Sequence, residues 1–150
     1  MKKIVWSLVF VMCAIMITGC GAEADKTLSC SKDFSSSMPS GVTMVQESDI
    51  EFKSGKVDTM KMVMKFELSG LYASQFDTMF NTMKSTYENQ YNYDGITVTA
   101  SKTGDKTFDV VVFVDYKNIS DATKTAIGAK GSESYSVNKT QLEQQGYTCK

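Results

Sequence analysis

Between Val57 and Leu68 the chain alternates with a period of two. Met60, Met62, Met64, Phe66 and Leu68 fall on one side, and Thr59, Lys61, Lys65 and Glu67 on the other. Successive side chains of a strand point to opposite faces, whereas a helix would spread these residues around its circumference. Val63 departs from the pattern. Such a stretch belongs in a sheet with one face in the core and the other in water. It requires partner strands and a layer to cover its apolar face.

The neighbouring residues supply both. Val42 to Phe52 reads as a strand, with Val42, Met44, Ile50 and Phe52 on one face and Gln46 and Ser48 interrupting it. Lys53-Ser54-Gly55-Lys56 is the turn, so 42–68 forms a β-hairpin. Ser69-Gly70 ends it. Tyr72 to Tyr91 then carries Tyr72, Phe76, Met79, Phe80, Met83, Tyr87 and Tyr91 at steps of three and four, an amphipathic helix with a capping pair at Ser74 and Asp77. Ile96, Val98 and Ala100 alternate in a third strand. Phe108, Val110, Val112, Val114 and Tyr116 alternate in a fourth, where Val111 and Phe113 add apolar surface to the second face. Two short helices close the chain. One is capped by Ser120 or Asp121, runs to Ile127 and stops at Gly128; the other spans Lys139 to Gln145, with Asn138 as cap and Gly146 just past its end. The expected fold is α+β: an antiparallel sheet of two β-hairpins in the order ββαββ, with the main helix and two short C-terminal helices packed on it. A single domain is expected over 41–150.

The first residues carry a different message. Lys2 and Lys3 precede an apolar run, Ile4 to Ile17, that is too short to cross a bilayer core of about 30 Å comfortably. Residues 1–19 read as a signal peptide. Ile17-Thr18-Gly19-Cys20 has the order of a bacterial lipobox: aliphatic, small, small, then a thiol. Cys20 is then the lipidation site and the mature N-terminus. Two acyl chains on it hold a protein stably at a membrane. Residues 20–40 read as the lipidated Cys, a small charged tether and a Ser-rich N-terminal loop with the one proline, Pro39.

Composition narrows the chemistry. Removing the signal takes Lys2 and Lys3 from 16 basic residues and leaves 14 against 17 acids, a net charge of −3. That balance disfavours nucleic acid and a polybasic grip on anionic lipid. Every basic residue is Lys, with no Arg and no His. The usual general base and metal ligand is missing, as are bidentate clamps for phosphate or carboxylate. Of four Cys, Cys13 leaves with the signal and Cys20 takes the lipid. Cys30 and Cys149 remain, and outside the cytoplasm such a pair reads as a disulfide.

Taken together, Thr18-Gly19-Cys20 with its charged tether, the hairpin turning on Lys53-Ser54-Gly55-Lys56-Val57, the helix ending in Tyr87 to Tyr91 before Gly95-Ile96, the hairpin ending Val114-Asp115-Tyr116, and the last helix closed by Gly146-Tyr147 resemble the YehR-like family of small bacterial lipoproteins. The resemblance spans nearly all of the mature chain. The Cys30–Cys149 pair departs from some members. The family is functionally uncharacterised, so the resemblance supplies no catalytic residues.

Three clusters could carry chemistry. Met60, Met62 and Met64 present soft thioethers that could hold Cu(I), although the same face continues through Phe66 and Leu68 as a core would. Phe76, Phe80, Tyr87 and Tyr91 could line a ligand groove or form the buried face of the main helix, with Tyr91 and Tyr93 the most exposed. Asp109 and Asp115, with Glu67 near, could form a carboxylate pair or weak Ca²⁺ site, or be solvated charges opposite Lys61 and Lys65. A Ser nucleophile would have only Lys as base. The expected function is a lipid-anchored extracytoplasmic binding or structural module, not an enzyme, with no cofactor, catalytic residue or bound metal, and a protein or envelope component as partner. The alternative is a small envelope enzyme or a Cu(I)-handling protein.

Overall fold

The computed structural model describes residues 24–127 and 131–150. The signal segment, Cys20 and the expected helix stop at Gly128 lie outside the described residues. The fold is α+β, with a single open antiparallel sheet of six strands rather than four. The strands are β1 (Lys26–Asp33), β2 (Val42–Lys53), β3 (Lys56–Leu68), β4 (Ile96–Lys102), β5 (Thr107–Asp115) and β6 (Thr148–Cys149). Their order across the sheet is β4-β5-β3-β2-β1-β6. The helices are α1 (Gly70–Ala73), α2 (Phe76–Gln90), α3 (Asp121–Ala126) and α4 (Tyr135–Gln144). No described helix is long and apolar enough to cross a membrane.

The β2–β3 pair turns on Ser54 and Gly55, both at positive φ (51° and 75°). Two successive left-handed residues match the twist of the flanking strands, and glycine makes the second inexpensive. β3 also pairs with β5, and β5 with β4, both antiparallel. β4 therefore runs parallel to β3 with β5 between them, and α1 and α2 carry the chain across.

One face of the sheet is the core. Val98, Val112, Met62, Ser48, Cys30 and Cys149 form one cross-strand row on it; Ile96, Val114, Met60, Ile50 and Leu28 form the next. Phe66 stacks on Phe108, their ring centroids 4.8 Å apart, and Phe76 and Phe80 of α2 meet Phe108 edge-on. Helix α2 packs over β4 and β5, and α4 over β1 and β6.

Several boundaries differ from the sequence reading. Residues 26–33, expected as tether and loop, form β1, which is tied by its full length to β2. The long helix is broken: Ser74 Oγ turns back to donate to the Leu71 carbonyl, and α2 starts at Phe76 without a side-chain cap. The expected Ser74–Asp77 capping pair does not form, and Asp77 pairs with Lys102 instead. The last helix begins at Tyr135 after Ser134, four residues before Lys139. Asn138, expected as its cap, is inside it and buried, where its Nδ2 donates to the Glu133 and Ser134 carbonyls. Two expectations at helix ends agree with the structure. Ser120 caps α3 by accepting from the Thr123 N–H at 3.1 Å. Gly146, at φ 86°, ends α4, with the Tyr147 N–H donating back to the Leu142 carbonyl.

Candidate functional site

Opposite the core, the sheet presents a second face on which no described helix packs. The same alternation that buries the methionines places Asp49 beside Lys61, with Phe113 on the far side of the lysine. It places Glu47 beside Val63, with Val111 beyond, and Lys65 beside Asp109. Polar side chains here satisfy one another. Lys65 Nζ meets Glu47 Oε1 at 2.7 Å, Ser29 Oγ donates to Asp49 at 2.6 Å, and Thr59 Oγ1 donates to Glu51 at 3.0 Å. The hydrogen bond accepted by Glu47 holds the Lys65 ammonium above its ordinary pKa. In the middle, Val63 and Val111 pair across the strands, and Phe113 is 38% exposed. The charge is mostly acidic: Asp33, Glu47, Asp49, Glu51, Glu67, Asp109 and Asp115 share this face with Lys61 and Lys65, and with Lys53 and Lys56 at its turn end. Such a surface can seat a partner around a small apolar centre through a predominantly acidic surround.

The methionine triad lies on the other side. Met60, Met62 and Met64 are 8%, 3% and 2% exposed, within the core cluster. The aromatic stripe faces the same core, although α2 has no fully buried residue. Phe76, Phe80 and Tyr87 are half-buried, and Tyr87 stacks on Tyr91 with centroids 6.3 Å apart. Tyr91 is buried rather than exposed; Tyr93 is exposed, at 40%. Burial pushes the Tyr87 hydroxyl pKa up strongly.

Of the two readings of Asp109, Asp115 and Glu67, the structure shows charges kept apart rather than a carboxylate pair. Asp109 faces Lys65, while Asp115 lies six residues along β5 and accepts from the Lys117 N–H and Asn118 Nδ2 in the following turn. Glu67 is opposite Thr107. Among the described residues, no three Asp, Glu, Cys or His side chains come together as a metal site. Cys30 and Cys149 are joined by a disulfide between directly opposed residues of β1 and β6. The flanking Ser29 and Lys150 exchange both backbone hydrogen bonds, so the bridged residues are a non-hydrogen-bonded pair, the closer of the two antiparallel spacings.

One ionic site was not anticipated. The β2–β3 register slips between Glu51 and Phe52, leaving Asp58 as an extra residue on β3. The bulge aims its carboxylate inward, where it is 5% exposed and takes Lys53 Nζ at 2.6 Å and Lys117 Nζ at 2.7 Å. The Lys117 hydrogen bond first, and then that from Lys53, hold Asp58 below the ordinary carboxylate pKa. Together they pin the β2–β3 turn to the segment after β5. The sequence signal was Asp58 at an inward position of an apolar alternation.

No family model and no curated protein matches the chain. The fold does have a counterpart. The chain is similar in backbone to the NMR structure of a protein from Streptococcus pneumoniae TIGR4, with a TM-score of 0.52 over 90% of each chain and 10% sequence identity, a likeness of fold alone.

Proposed function

We propose that this chain is a lipid-anchored bacterial lipoprotein on the extracytoplasmic side of a cell membrane, where it works as a non-enzymatic binding or structural module. The observation that carries the location is the Cys30–Cys149 disulfide, which closes one edge of the sheet. Bridges of this kind persist in oxidising compartments, and the Ile17-Thr18-Gly19-Cys20 order supplies the anchor. The resemblance to YehR-like lipoproteins points the same way, with the two hairpins around α2 as the nucleus of the fold. The binding role draws its support from the uncovered face, where Val63, Val111 and Phe113 lie beside Lys61 and Lys65 on a surface whose charges are mostly acidic. Its partner is an envelope protein or component presenting positive charge.

The metal-handling alternative asks Met60, Met62 and Met64 to reach solvent together, and the core position of these side chains gives it no support.

Cys20→Ser is the test of the anchor. The variant is expected to lose acyl labelling and to accumulate as unprocessed precursor; unchanged labelling and processing would overturn the lipoprotein reading. Crosslinking in intact cells, comparing the native lipoprotein with Phe113→Asp, tests the binding surface. Equal capture of the same envelope component by both proteins would remove the uncovered face from the proposal.

A further inference from the structure

The two edges of the sheet are finished differently. One ends in β6, two residues long and held by a disulfide. The other ends in β4, seven residues with no proline. The hydrogen-bond phase of β4 follows from its ends. Asp115 N–H donates to the Gly95 carbonyl, and Thr103 N–H to the Thr107 carbonyl. In the β4–β5 register, these bonds make the odd-numbered residues of β4 the hydrogen-bonded partners of β5. Thr97, Thr99 and Ser101 thus spend their backbone groups on β5. Val98, Ala100 and Lys102 direct theirs away from the sheet, along an edge where no described strand pairs.

Burial points to the same edge. Val98 and Ala100 are only partly buried, whereas their neighbours Val112 and Val110 on β5 are 0% exposed. Helix α2, which packs over β4, leaves Phe76, Met79, Phe80, Met83 and Tyr87 all half-buried. Unpaired ladder groups and an incompletely covered apolar layer coincide. An exposed strand edge is a template for another strand, and proteins commonly blunt it with proline, a bulge or inward lysines. The inward lysine of β4 is at its very end, Lys102, where its ammonium is engaged by Asp77.

We propose that β4 pairs with β4 of a second copy of this chain, antiparallel across a twofold axis at Thr99, so that two sheets join into one. The ladder phase selects the register. Residues with free outward groups must face one another, so Val98 meets the partner's Ala100 and Ala100 the partner's Val98. Thr99 then faces Thr99 of the partner subunit as a non-hydrogen-bonded pair. This alignment runs the length of β4, with the Ile96 N–H left on the Tyr93 carbonyl. It is also self-complementary in size, as an isologous interface must be: Val lies opposite Ala, Ile96 opposite the aliphatic stem of the partner's Lys102, and Thr97 opposite the partner's Ser101. No like charges oppose each other along the seam, and β4 carries no carboxylate. The second copy brings its own α2 to the seam, where the half-buried stripes of both helices can lose further apolar surface. The pairing is independent of the lipid anchor.

Disulfide trapping in the full-length protein tests partner and register together. Directly opposed, non-hydrogen-bonded positions have the spacing a disulfide needs, whereas Ser101 is displaced from Ser101 of the partner subunit by four residues along the seam. Thr99→Cys should therefore give a covalent dimer on a non-reducing gel, about tenfold more of it than Ser101→Cys on the same exposed strand. Ala100→Pro removes an outward N–H that β5 does not use, a position where an edge strand accepts proline. Added to Thr99→Cys, it should abolish the dimer while the Cys30–Cys149 bridge still forms. Equal trapping at Thr99→Cys and Ser101→Cys, trapping that survives Ala100→Pro, or monomer only from Thr99→Cys with the Cys30–Cys149 bridge intact would each overturn the proposal.

Discussion

Single side chains in this protein are explained by which face of the sheet they occupy. Met62 is opposite Ser48 on one side and Val112 on the other, at 3% exposure. Met62→Ala should cost about 2–5 kcal/mol, as large-to-small core changes do. A metal-free urea melt shifted by less than about 1 kcal/mol, with Cu(I) affinity lost, would move the residue to a surface metal site. Asp58 makes the opposite case, a charge on the inward side of the same strand. Its pKa is depressed by the two lysine hydrogen bonds. The stability they contribute is therefore present above the unfolded carboxylate value of about 3.9, and is lost as pH falls through the lower folded value. Asp58→Asn should cost about 1 kcal/mol near neutrality, a modest figure because both lysines are largely in water. It should also lose less further stability between about pH 4 and pH 2 than the native chain. Identical acid dependence in the two urea-melt series would show that the ion pairs are idle. Met62 was legible from alternation alone. Asp58 was not, because its partners depend on a bulge and on Lys117, which is distant in sequence.

At the scale of elements, legibility followed the amount of apolar surface each carries to the core. β3 from Met60 onward and β5 are interior strands with unbroken apolar inward rows, and their alternation is plain. β1 is inward only at Lys26, Leu28, Cys30 and Lys32, so two lysines flank its two core residues, and the strand reads as a polar tether. Those lysines are used as long stems. Lys32 reaches the Gln145 carbonyl at the end of α4, and its ammonium lies 4.7 Å from the Phe34 ring centre and 5.5 Å from that of Tyr147. Lys26 sits 5.2 Å from the Tyr135 ring centre. β6 is too short to show periodicity, and only its cysteine announced it. A strand of two residues held at an edge depends on its covalent tie. The paired cysteines are 119 residues apart, and the variant Cys30→Ser/Cys149→Ser should lose about 2–5 kcal/mol. The amides of Ser29 and Lys150, which bond across that edge, should exchange fastest relative to the native protein. Unchanged exchange at both would mean that backbone pairing alone holds β6.

Across the described residues the molecule is a sheet with one helix-covered face and two unlike ends. Asp25, just before β1, accepts from the Ser54 N–H, so the chain enters the domain beside the β2–β3 turn. If Cys20 carries the lipid, the five residues from Cys20 to Asp25 can span at most about 18 Å. The end bearing Ser54, Lys56 and Lys117 must then stay near the membrane surface. β3 leads away from that end for 13 residues, roughly 43 Å at strand spacing. Its far end carries α1, whose Leu71 is 85% exposed. A fluorophore on Lys56→Cys should therefore be quenched strongly by headgroup-attached quenchers in vesicles carrying the lipidated protein. One on Leu71→Cys should be quenched weakly, and the difference should vanish when Cys20 is replaced by Ser. The turn end is electrically mixed, since Asp58 engages both Lys53 and Lys117, so it should face lipid without gripping it. The acidic face, perpendicular to the membrane in this pose, stays open to the envelope along its length. Stronger quenching at Leu71→Cys than at Lys56→Cys would invert the molecule and place α1 at the membrane surface.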